Sequence, residues 1–260
     1  MFKILKYSFY DLMRSRWSYL YFIFYLLLGL ILLFLNRDVS KAVITLLNII
    51  LVLTPLIGTL FGIIYFYNSK EFTELLLAQP IKRSHIFWGQ YFGISLSLSL
   101  SLVLGLGIPF LAYGIFQSTE IFNFMTLLLI GAMLTFIFVA LAFNLALIFD
   151  DKIKGFGVAI LTWLSFAVIY DGIFLVLLLV FNDYPLDRFA LGATLFNPID
   201  LSRILILLKL DISALLGYTG AVFQNFFGTN LGIILTFTLL NLWIIIPVLA
   251  IKVISKHKDF

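Results

Sequence analysis

The sequence predicts an all-α polytopic membrane protein. Three observations carry that prediction. Of 260 residues, 63% are hydrophobic and 12% charged, whereas an ordinary soluble domain carries about a quarter charged residues. Apolar runs near the roughly 20 residues that a bilayer-crossing helix needs recur along the chain. The charged residues collect in the gaps between those runs.

The elements follow in order. Residues 1–16 predict an amphipathic elbow helix lying on the membrane, with Phe2, Leu5, Phe9, Leu12 and Met13 at helical spacing and Lys3, Lys6, Asp11 and Arg14 as its polar face. Spans are expected at 17–35, 43–67, 91–116, 121–149, 156–181 and 231–253. Six spans put both termini on one side. With that side called inside, the inner segments hold 12 Lys and Arg residues and the outer ones 5 of the 17 in the chain. Cytoplasmic loops carry the excess of positive charge. Both termini and the 68–90 loop are therefore expected in the cytoplasm, and 182–230 outside it. The whole chain, 1–260, reads as one transmembrane domain.

The third span carries Gly89, Gly93, Ser97, Ser101 and Gly105 at every fourth position. Such a stripe of small residues lets a neighbouring helix approach closely. Its partner is a crossing helix, within the subunit or across a dimer. Ser95 and Ser99 lie off the stripe, where their hydroxyls are expected to bond backbone carbonyls.

The polar interruption at 68–90 is the most informative stretch. Phe72, Leu75, Leu76 and Gln79 fall on one face of a short helix, with Glu71 and Glu74 near its N-terminus, where the helix dipole favours acids. Pro80 stops that helix. Lys82 and Arg83 form a basic turn, and Ser84 is a candidate cap for the next span. A rigid helix projecting from two spans can transmit force from a soluble partner; otherwise it rests on lipid.

Outside the membrane, Asn197-Pro198-Ile199-Asp200 is a helix start, with Asn as N-cap, Pro at the first position and an acid in the first turn. Leu201, Ile204, Leu205, Leu208, Ile212 and Leu215 supply an apolar face, with Ser202, Arg203, Lys209 and Asp211 elsewhere, and Gly217 ends the helix. It is expected to lie on the outer leaflet or dip into it. Asp200 and Arg203 form an i,i+3 pair. Asp171 sits within the fifth span, where a carboxylate costs about 2.5–3.5 kcal/mol. It either lines a translocation route or bonds Tyr170, Asn144 or a backbone group.

Several chemistries are excluded. The chain has no cysteine, so thiolate metal sites and cysteine nucleophiles are out. Its histidines, His85 and His257, fall outside the expected spans, so no Ser–His dyad can form within the bilayer. A phosphate-binding G-x-x-x-x-G-K-[ST] loop is absent. The basic residues are scattered among loops, which gives no case for nucleic acid.

The segment EFTELLLAQPIKRSHIFWGQYFG resembles the one that follows the second span of ABC-2 type transporter permeases. The resemblance implies a type V exporter-like fold of six spans with an N-terminal elbow helix. It also implies that Glu71, Phe72, Glu74, Leu75, Leu76, Gln79, Pro80, Lys82 and Arg83 form or flank the socket of a cytoplasmic ATPase dimer. ATP and magnesium then belong to that ATPase, and this chain binds no cofactor and no metal itself. Two copies of the chain are expected, in a bacterial inner membrane. The run LFNPIDLSRILILLKLDISALLGYTGAVF resembles NosY-type permeases, at Asn197, Pro198, Asp200 and Arg203 and then Leu215, Gly217, Gly220 and Ala221. Those permeases support maturation of the copper–sulfur centre of nitrous oxide reductase and work with a periplasmic β-helical protein. The resemblance therefore implies that Asn197, Pro198, Asp200 and Arg203 lie near such a partner. The cargo is then a sulfur-containing species or copper. Sulfur is favoured, because copper(I) selects soft ligands, and Met125 and Met133 are the only methionines in the expected spans. The alternative is an ABC-2 exporter of a lipid or hydrophobic drug.

Overall fold

A computed structural model describes residues 1–36, 38–181, 187–209 and 230–258. Among them every regular element is helical, as expected where backbone groups must be satisfied without water. The helices are α1 (Phe2–Arg14), α2 (Arg16–Asn36), α3 (Val39–Asn68), α4 (Lys70–Leu77), α5 (Arg83–Ala112), α6 (Ile121–Ile148), α7 (Lys152–Leu164), α8 (Tyr170–Val180), α9 (Asp187–Leu195), α10 (Pro198–Lys209) and α11 (Asn230–His257). Six stretches of the described chain are long and apolar enough to cross a bilayer, the fifth running Lys152–Leu177. This is a multi-pass membrane protein.

The spans differ from the sequence expectation mainly at the third. α5 begins at Arg83, eight residues before the expected start at 91, and ends at Ala112. Gly114 then turns the chain with φ +87°, a conformation natural to glycine. Lys82 is the N-cap of α5 and makes no side-chain cap bond, so Ser84 lies inside the helix and does not cap it. The fifth span contains a π-helical turn, Ser165–Ile169, between α7 and α8.

The chain divides into two compact units, Met1–Ile160 with Ile244–Phe260, and Leu161–Trp243. In the first, α3 packs on α6 and α5 packs on both α1 and α2. The small-residue stripe makes the α5 contact possible within one chain. A Cβ on Gly93 would lie 2.8 Å from Ser8 Cβ and 2.9 Å from the Leu5 carbonyl, and one on Gly105 would lie 2.8 Å from Tyr25 Cβ. Gly89 faces Ile4, and Ser101 Oγ lies 3.4 Å from Ser18 Oγ. Ser97 is buried on the same stripe. The Ser95 and Ser99 hydroxyls do not reach a backbone carbonyl.

In α1 Ile4, Ser8 and Leu12 are buried, Leu5, Phe9 and Met13 of the expected apolar face are half-buried, and Phe2 is exposed. The second half of α11 is tied to the same unit through carbonyl groups. Asn144 Nδ2 donates to the Pro247 carbonyl at 2.8 Å, and Trp88 Nε1 donates to the Val248 carbonyl at 3.0 Å.

In the second unit α9 and α10 form a fold-back with a 114° bend. α10 is buried on more than one face, with Leu201, Ser202, Leu205 and Ile206 inaccessible. Of the two expected placements, lying on the outer leaflet or dipping into it, this burial and the bent apolar pair fit the second better. Trp243 Nε1 closes the unit by donating to the Leu195 carbonyl at 3.1 Å. The expected helix end at Gly217 and the glycine-rich stretch after it, including Leu215, Gly220 and Ala221, lie outside the described residues.

Candidate functional site

Two places in the chain combine polar chemistry with an unusual position. The first is α4. It is eight residues long, begins directly after α3 and ends at Leu77, so Gln79 and Pro80 lie beyond it. Its buried residue is Thr73, not Leu75 or Leu76. Gln90 in α5, fully buried, donates through Nε2 to Thr73 Oγ1 at 2.8 Å, and Thr73 donates to the Ser69 carbonyl at 2.8 Å. Phe72 stacks on Tyr7 of α1 with ring centroids 4.6 Å apart. α4 is therefore pinned on one side by a buried hydrogen bond and on another by an aromatic pair. Its free side presents Glu71, Glu74 and Leu75, the last 69% exposed. Lys70 approaches Glu74 at 3.9 Å in solvent, a pair of little energetic weight. Gln90 and Thr73 were missed from sequence. The available signal was a glutamine between Trp88-Gly89 and Tyr91-Phe92, at the edge of the expected span, which must find a partner when buried.

Arg83 makes a contact distant in the chain. Its guanidinium donates to the Lys258 carbonyl at 2.7 Å. Lys258 in turn sends Nζ to the Leu147 carbonyl at 2.6 Å and to Asp150 at 2.8 Å. A cation is favoured there, at the C-terminal end of α6, whose last carbonyls lack helical partners. The hydrogen bond from Lys258, and then its charge, hold the Asp150 carboxyl below the ordinary range. Lys82 and Arg83 are both exposed.

The second place is a charge cluster in the Leu161–Trp243 unit. Arg203 Nη1 donates to Asp171 at 2.7 Å and to Asp200 at 3.0 Å. Asp171 is answered by an arginine from α10, not by Asn144, which bonds Pro247 and Ala140 instead. Tyr170 donates to the Ala193 carbonyl. Asn197 caps α10 by accepting from the Ile199 amide at 3.0 Å. Its Nδ2 donates to Asp200 and to the Phe166 carbonyl, both at 2.9 Å. Phe166 lies within the π turn. One asparagine thus joins a helix cap, a π turn and a charge pair.

These side chains are engaged with one another within the unit. Asn197, Pro198 and Asp200 are buried, and Arg203 is committed to two carboxylates. The neighbouring exposed group is Phe196. No cluster of three or more metal-binding His, Asp or Glu side chains occurs among the described residues. No family model and no curated protein matches the chain.

Proposed function

We propose that this chain is the membrane-spanning subunit of an ABC-2 type transporter, NosY-like in its outer region, working as a homodimer with a separate cytoplasmic ATPase. The observation that carries the reading is α4, a short helix between two long spans, pinned at Thr73 and exposed at Glu71, Glu74 and Leu75. A lever needs a rigid attachment and an accessible surface, and α4 has both. ATP closing the partner's dimer would press on α4 and move α3 and α5 together. The Asp171–Arg203–Asp200 cluster would hold α8 against α10 during that movement. The cargo that best fits a cysteine-free chain is a small sulfur-containing species, exported for assembly of a copper–sulfur centre and received by a periplasmic partner.

The test is association. The chain is co-expressed with its candidate ATPase and purified, then compared with Leu75→Asp and Glu74→Lys. Association should weaken by about tenfold or more, as for truncated groups at a desolvated interface. Full retention of the ATPase by both variants would remove α4 from the coupling role.

A further inference from the structure

Beside α4 lies a second feature that the transport reading does not use. A half-open cavity of about 620 Å³ is enclosed by α1, the start of α2, the end of α3 and α4. This falls within the roughly 300–1,000 Å³ range of small-molecule sites. Its walls are aromatic, formed by Tyr7, Trp17, Phe61, Tyr65 and Phe72. Asp11 is the one charged side chain in the lining. Tyr65 is only 8% exposed, and its hydroxyl lies beside Ser8 and Asp11.

The lining selects the occupant. It has to be largely apolar, because the walls are. It has to reach the cavity from the bilayer, because Trp17 and Ile64 leave the opening apolar and exposed. Positive charge with N–H donors suits its polar end, because Asp11 is the charged side chain in the lining and its carboxylate oxygens accept. An anionic headgroup meets the wrong charge at Asp11, and a quaternary ammonium has no N–H to give. We propose that the cavity holds one ethanolamine phospholipid, its primary ammonium donating to Asp11 and Tyr65 and an acyl chain lying along the aromatic walls. The lipid would then touch α1, α3 and α4 at once and stiffen the base of the projecting helix. The proposal rests on the cavity alone and holds whether or not α4 docks on an ATPase.

The full chain is reconstituted without any ATPase into vesicles of equal parts phosphatidylethanolamine, phosphatidylglycerol and phosphatidylcholine. It is then extracted in mild detergent, and retained lipid is counted by native mass spectrometry. Phosphatidylethanolamine should be retained at about one per chain, roughly fivefold above the other two, the ratio that about 1 kcal/mol of charge-assisted bonding gives. Asp11→Asn should erase the headgroup preference while lipid still binds. Leu60→Trp, which fills the cavity without touching charge, should abolish retention. Equal retention of all three lipids, or a preference that survives Asp11→Asn, overturns the proposal. So does a disulfide between two copies carrying Phe61→Cys, which would mean that a second chain covers the opening; the absence of native cysteine makes that reading unambiguous.

Discussion

Glycines on α5 show how sharply one methyl group can be read. Gly93 is pressed against Ser8 and the backbone of α1, whereas Gly107 has nothing within 4 Å. Gly93→Ala should destabilise the protein by about 1–3 kcal/mol through overpacking. Gly107→Ala should be neutral or stabilising by up to about 1 kcal/mol, because alanine favours the helix. Thermal unfolding in detergent distinguishes them, and equal melting temperatures would contradict the packing described. Gln90 is a second residue of this kind. Gln90→Leu removes the donor to Thr73 and leaves a buried hydroxyl less well satisfied, at about 1 kcal/mol. Amide hydrogen exchange within Lys70–Leu77 should speed up by about fivefold, the factor that such a loss gives. Protection unchanged in α4 would mean that the Tyr7–Phe72 stack alone fixes it.

Among elements, the fold-back of α9 and α10 against α8 depends on one guanidinium serving two carboxylates. Arg203→Ala would leave Asp171 and Asp200 facing each other without a cation. Loss of one partner from a fully buried ion pair costs about 3–5 kcal/mol. Arg203 and Asp171 keep 30% and 27% side-chain exposure, so about 2–3 kcal/mol is expected here after solvent screening. A double variant, Arg203→Ala with Asp171→Asn, should recover part of the loss. Unfolding of the reconstituted chain measures both, and no recovery would mean that the charges do not act as a pair. The clamp of the C-terminal helix follows a different rule. Asp150 has its carboxyl lowered by Lys258, so the contact is present above the ordinary carboxylate range and is lost as pH falls through the folded value. A spin label at Lys256→Cys should gain mobility only as pH falls below the ordinary carboxylate range. In an Asp150→Asn background the same label should be mobile already at neutral pH; a label that stays immobile there would shift the anchoring to the Leu147 carbonyl.

For the whole molecule, sidedness is the first quantity to measure. A single cysteine at Leu75 should react with an impermeant reagent applied from the cytoplasmic side of the membrane and not from the other. Reaction from the far side would invert the topology and detach α4 from any nucleotide-driven partner. Composition determined the class of solvent, and the spacing of apolar runs determined the helical character and the six long spans, because the bilayer tolerates few alternatives to a continuous apolar helix. The short helix before Pro80 and the Asn-Pro start of α10 were also legible, since caps and prolines act over a few residues. What tertiary structure decided were the partners. Helical periodicity could not tell that Thr73, not Leu75, faces inward. Nor could it tell that Arg203 answers Asp171 from 32 residues away, that Asn197 turns inward onto the π turn, or that Arg83 holds the chain's own tail. Each is a contact between residues far apart in the chain, chosen by which polar atoms would otherwise be left unsatisfied in an apolar surrounding, and no local pattern records that choice.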